Sequence, residues 1–145
     1  MLTILATLIV ATFSAPSHRF LELESDHPAN RRFEIEEGSQ WRHASVQDPW
    51  IKFFTQRALE TIEREENDGI RLLNVQLIDS IVAPTDNGLH YKLRFVVGKT
   101  NCLTSDLICD YLNVVSRKVY EADITYDYGT RQEEVSVWPE GDEIF

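Results

Sequence analysis

The sequence predicts an α+β fold: one long helix packed on a single antiparallel sheet that runs as a meander. Three observations predict it. Apolar residues from Ile51 to Ile62 recur at helical spacing. Four later segments alternate apolar and polar residues with a period of two. Turn signals stand between those segments, among them Asn87-Gly88 and Tyr128-Gly129-Thr130.

The first segment, MLTILATLIVATFS, is apolar to Phe13 and carries no charged side chain. It is shorter than the roughly 20 residues that span a hydrocarbon core. It fits the apolar region of a secretory signal peptide over residues 1–14, with cleavage after the small Ser14. Residues 15–37 are polar, mixed in charge and without a sustained period, which predicts a flexible leader. The folded domain is expected over 38–145.

Within it, Trp41 to Val46 reads as one short strand. Asp48 is a good N-cap and Pro49 suits the first helical position. Ile51, Phe54, Ala58, Leu59 and Ile62 then share one face, while Lys52, Gln56, Glu60, Glu63 and Arg64 lie elsewhere. Glu66 to Gly69 is a stop signal, with Gly69 expected as the left-handed cap. The second strand follows from the alternation of Leu73, Val75 and Leu77, the third from Tyr91, Leu93, Phe95 and Val97. Tyr120, Ala122, Ile124 and Tyr126 give the fourth, and Val135 and Val137 the fifth. Each alternating strand puts one face on a core and one in water.

A chain of 145 residues with 43% hydrophobic and 10% aromatic content suits one globular domain with one core. The formal net charge of -10 leaves no basic surface to neutralise phosphates, so no nucleic-acid partner is expected. It also argues against an anionic membrane. The expected state is a monomer.

Two cysteines, Cys102 and Cys109, stand close in sequence. In a secreted chain the default is one disulfide between them. The chain-entropy model gives such a short loop roughly 2.5 kcal/mol. Zinc would need two more ligands, and His18, His27, His43 and His90 show no ligand spacing. No motif joins Ser, His and Asp, and Glu65-Glu66 reads as a solvated helix end. Neither catalysis, a metal nor a cofactor is expected.

In a meander, the turn from the second to the third strand and the turn from the fourth to the fifth lie at the same end of the sheet. If the first strand pairs antiparallel with the second, the chain before it starts at that end too. Three pieces then meet at one edge: the chain around Gly38, the tip at Pro84–Gly88 and the tip at Tyr126–Arg131. Cys102 and Cys109 belong at the opposite end.

That arrangement, and two stretches of sequence, resemble the cystatins. The segment GSQWRHASVQDPWIKFFTQRALETIEREEND, Gly38 to Asp68, looks like the family's glycine, short strand, Asp-Pro turn and long helix with an Asn-containing stop. The segment NGLHYKLRFVVGKTNC, Asn87 to Cys102, looks like the strand after the first cystatin loop, with Gly88, Tyr91, Gly98, Lys99, Thr100 and Cys102 at the matching positions. The resemblance runs from about Gly38 to the end. It implies a secreted, noncovalent, competitive inhibitor of papain-like cysteine proteases, whose three edge elements fill the active-site cleft as a wedge. The candidate protease-binding residues it implies are Gly38, then Pro84, Thr85, Asp86, Asn87 and Gly88, then Asp127, Tyr128 and Gly129.

The sequence departs from the family pattern at all three elements. The first loop of the family reads Gln-x-Val-x-Gly; here Pro84-Thr85-Asp86-Asn87-Gly88 keeps only the glycine. Burying Asp86 without a partner would be costly. The apolar Ile81-Val82-Ala83 precedes it. The second loop has no Pro-Trp pair; Trp138-Pro139 is in reversed order and later in the chain. Gly38 is followed by Ser39 where the family has a second glycine. The family's second disulfide is missing.

Altered contacts predict weak inhibition, roughly micromolar. Gly88→Glu is expected to abolish it while leaving the fold intact. Within the second tip, Tyr126 is expected to pack on the core and Tyr128 to face a partner. The second class of function is a non-inhibitory cystatin-fold module that binds another protein, having lost the Gln-x-Val-x-Gly and Pro-Trp contacts.

Overall fold

A computed structural model of the chain describes residues 31–144, with side chains described to residue 141. The expected signal peptide and most of the expected leader lie outside the described residues. In chain order the elements are β1 (Arg42–His43), α1 (Pro49–Glu66), β2 (Ile70–Pro84), β3 (Gly88–Leu103), a 3-10 turn (Tyr111–Asn113), β4 (Val114–Asp127) and β5 (Glu133–Ile144). The five strands form one antiparallel sheet in the order β1-β2-β3-β4-β5, the expected meander.

Helix α1 starts where its sequence says. The Asp48 side chain accepts the Trp50 N–H at 2.9 Å, and Pro49 occupies the first turn, where an N–H would have no partner. Ile51, Phe54, Ala58, Leu59 and Ile62 are all buried. They pack with Leu72, Tyr91, Leu93, Phe95, Val97, Ala122 and Ile124 from the sheet. The stop differs in detail from expectation. Asn67, not Gly69, is the C-cap, with φ 49° and its N–H donated to the Glu63 carbonyl at 3.0 Å. Asn tolerates the left-handed region almost as glycine does. Gly69, at φ 73°, comes two residues later and turns the chain into β2.

Strand β1 is shorter than Trp41–Val46. The Asp48 N–H donates to the Ser45 carbonyl at 3.0 Å, so the chain is already turning into the helix at Ser45. Its two residues pair with β2 as Arg42 with Val82 and His43 with Ile81.

Cys102 and Cys109 form the expected disulfide, at the end of β3 away from the tips. Asp110 caps the 3-10 turn that follows by accepting the Leu112 N–H at 2.9 Å. Midway along the sheet, the buried Arg94 guanidinium bridges Glu121 at 2.6 Å and Glu140 at 2.5 Å, tying β3, β4 and β5 together. Burial, and then the neighbouring Glu140 carboxyl, push the Glu121 carboxyl up to about 7 against the pull of Arg94. Among the described residues, no helix is long and apolar enough to cross a membrane.

Candidate functional site

The first tip is a three-residue loop, Thr85–Asn87, closed by the Thr85 N–H donating to the Gly88 carbonyl at 3.0 Å. The Asn87-Gly88 turn signal is not what closes it. Neither Asn87 nor Gly88 has a positive φ, which that turn requires. Gly88 is glycine for a different reason: it is buried as the first residue of β3, and a Cβ there would sit 1.8 Å from the Tyr126 carbonyl oxygen. Only a hydrogen fits at that approach. The expectation that Gly88→Glu leaves the fold intact is therefore corrected: any side chain collides with β4 backbone. Pro84, Thr85, Asp86 and Asn87 are all exposed, so Asp86 keeps its hydration.

The second tip is built around one carboxylate. Asp127 Oδ1 accepts the Gly129 N–H at 2.7 Å and the Thr130 N–H at 3.0 Å. The Asp127 carbonyl accepts the Arg131 N–H at 2.8 Å, and Arg131 takes the left-handed conformation at φ 56°. Asp127 thus holds the loop's shape with both its side chain and its backbone. Tyr126 packs against the core, as expected, and Tyr128 is 60% exposed. Trp138 and Pro139 pair with Glu121 and Tyr120 in the middle of the sheet, away from the tip.

The two tips adjoin. Gly88 pairs with Asp127, and the Tyr128 N–H donates to the Asn87 carbonyl at 2.9 Å. Between them lies a shallow groove of about 570 Å³, lined by Asp86, Asp127, Glu133 and Glu134 among others.

The third element, around Gly38, precedes β1, whose Arg42 pairs with Val82 two residues short of Pro84. Gly38, at φ 81°, sits in a turn closed by the Ser39 N–H and the Glu36 carbonyl at 3.1 Å. The preceding chain folds back so that the Phe33 N–H reaches Asp79 Oδ2 at 2.8 Å. Asp79 is buried; its other oxygen accepts the Ser80 N–H at 2.9 Å and lies 3.4 Å from His43 Nδ1. So the backbone at Phe33 is held by β2. Among the described residues no hydrogen bond joins Gly38 to either tip.

Sequence reasoning missed three features. Asp79 as the anchor of the leader carries no local pattern, because its partner lies 46 residues away. Asp127 as a capping carboxylate was legible from its place just before Gly129. The third is a set of aromatic rings. Trp50 and Phe53 fall outside the buried stripe of α1, and they are 55% and 46% exposed. Their positions off the stripe were the available signal. Tyr91, next to this region, has its hydroxyl pushed up by burial first, then by the charge of Asp48 and by Tyr128.

One helix packed on a five-stranded antiparallel meander, with two hairpin tips joined at one end, is a cystatin-like fold. Among solved structures it is similar to a protein named Al-CPI, at 18% identity and TM-score 0.60, over 70% of this chain and 100% of that one. It is also similar to mialostatin, a gut cystatin from the hard tick Ixodes ricinus, at 15% identity and TM-score 0.53, over 70% and 98%. Dimeric human cystatin F aligns at 12% identity and TM-score 0.55, over 74% and 97%. No family model and no curated protein sequence matches the chain.

Proposed function

We propose that this protein is a secreted, monomeric, noncovalent competitive inhibitor of papain-like cysteine proteases. The observation that carries the reading is the joining of the two tips by the Tyr128–Asn87 hydrogen bond. Two loops locked to one another present a single rigid edge, which enters a cleft with little ordering cost. The contact residues under this reading are Gly38, Pro84, Thr85, Asp86, Asn87, Gly88, Asp127, Tyr128 and Gly129. Their roles differ. Gly88 and Asp127 hold the edge in shape, while Thr85, Asp86, Asn87 and Tyr128 are the groups it offers. Residues 1–14 serve as the signal peptide, and the disulfide suits an extracellular setting.

Two observations favour a second reading, a non-inhibitory binding module of the same fold. The first tip displays a carboxylate at Asp86, which must lose water to enter a cleft. The chain at Phe33 is held to its own sheet by Asp79.

Titrating the folded chain against papain and a cathepsin L-like enzyme separates the two. Competitive inhibition at roughly micromolar concentration supports the first reading. No slowing of either enzyme at about tens of micromolar removes it.

A further inference from the structure

Beyond the two tips, the start of α1 carries a surface that neither loop accounts for. Trp50 and Phe53 are 6.1 Å apart, ring to ring, edge to face. Trp50 lies 5.9 Å from the buried Phe54 and 6.1 Å from Tyr126, and Tyr126 lies 5.9 Å from Tyr128. The rings therefore form one chain from the helix to the exposed tip of the second hairpin. This aromatic shelf is exposed at both ends and anchored in the core at its centre.

The shelf is also held rigid. Asp48 fixes the Trp50 backbone. The Arg57 guanidinium stacks 5.6 Å over the Phe53 ring and bonds Glu133 at 2.5 Å, so the helix is tied to β5 directly beneath the shelf. Preformed aromatic groups of this kind bury large areas at small entropic cost, and they dominate interface energetics. Exposed rings gathered in one patch mark interaction surfaces more than scattered ones do.

Charge decides what kind of partner fits. Asp48, Asp86, Asp127 and Glu134 border the shelf and tips, while Arg57, the cation on the shelf itself, is already paired with Glu60 and Glu133. Two copies meeting through this face would set those carboxylates against each other, in a chain of net charge -10. A partner with cationic side chains around an apolar centre meets these four carboxylates, against the single exposed cation of the second tip, Arg131.

We infer that Trp50 and Phe53 form a second contact surface, continuous with Tyr128, that seats on an apolar patch with a basic rim beside the protease cleft. It rests on the inhibitor reading above and supplies apolar area that the second tip, lacking a Pro-Trp pair, does not.

The test compares the full chain with Trp50→Ala, Phe53→Ala and the double variant, using papain as the probe. Inhibition is measured, together with direct binding to papain whose active-site thiol is blocked. Both rings are half exposed, so thermal unfolding should stay close to the parent's and shows that each variant is folded. Each single change is expected to weaken binding by roughly ten- to a hundredfold, and added salt should weaken the parent's binding. A parent that inhibits, with variants equally potent, overturns the shelf and leaves the inhibitor reading standing. Salt-independent binding overturns the basic rim. A parent that neither inhibits nor binds papain overturns both. Self-association of the parent that Trp50→Ala abolishes assigns the shelf to a second copy and overturns the proposal.

Discussion

The two ends of the sheet carry loops of different length and construction. At the tip end, the first loop exposes Thr85, Asp86 and Asn87, the second exposes Tyr128, and the groove beside them includes several carboxylates in its lining. At the disulfide end, Leu107, Ile108 and Leu112 are 99%, 85% and 93% exposed. The difference lies in what holds each loop. The tips are shaped by backbone hydrogen bonds and by the Asp127 carboxylate, so polar residues are part of their construction. The disulfide loop is shaped by a covalent bond, by the Asp110 cap and by the Asp106 carboxylate, which accepts the Leu103 N–H at 2.8 Å, and none of these places a demand on Leu107, Ile108 or Leu112. Exposed leucines there are tolerated by the fold. At the tips the fold requires a polar side chain at Asp127.

The largest effect should come from Gly88, where the tip end depends on a missing side chain. Gly88→Ala forces a methyl group against the Tyr126 carbonyl and should destabilise the protein by about 3 kcal/mol or more, read by denaturant unfolding. A loss under about 0.5 kcal/mol would mean the two hairpins are not held at this spacing.

Replacing Cys102 and Cys109 together by serine should cost about 2.5 kcal/mol. Amide exchange should quicken between residues 102 and 114 and stay unchanged at the tips. Equal quickening at Tyr128 would show that the two ends are not independent.

Asp127→Ala leaves the Gly129 and Thr130 N–H groups without their acceptor and should cost roughly 1–2 kcal/mol. Asp127→Asn, which keeps an acceptor oxygen, should recover most of it. If both variants match the parent in unfolding, the carboxylate is not what shapes the loop.

Leu107→Ser with Leu112→Ser should have the smallest effect, within about 0.5 kcal/mol in stability, because both side chains are already in water. A large loss in chemical denaturation would show that this end packs against something in the folded protein.

Much of this molecule was legible in its chain. The stripe of α1, the Asp48–Pro49 start and the alternation of β3, β4 and β5 are local patterns that follow from the geometry of helix and strand, whereas in β2 register shifts put Leu72 in the core in place of Leu73 and Val75. The meander then placed the tips at one end and the disulfide at the other, because short connections leave antiparallel neighbours little choice. The site was read less fully. Asn87-Gly88 looked like a turn because that dipeptide usually is one. Its glycine instead answers to Tyr126, a residue 38 positions away that the sequence does not mark as a neighbour.

By itself, then, the sequence determined the elements, their order, the single disulfide and which residues stand at each end, since all of these depend on periodicity, caps and chain length. Only the tertiary structure decided that Gly88 admits no side chain and that Asp127 is committed to its own loop. It also decided that Asp79 holds the Phe33 backbone, and that Trp50 and Phe53 join the tip aromatics. Each of these is a meeting of distant segments, and what meets is set by the register and twist of the assembled sheet, not by any neighbour along the chain.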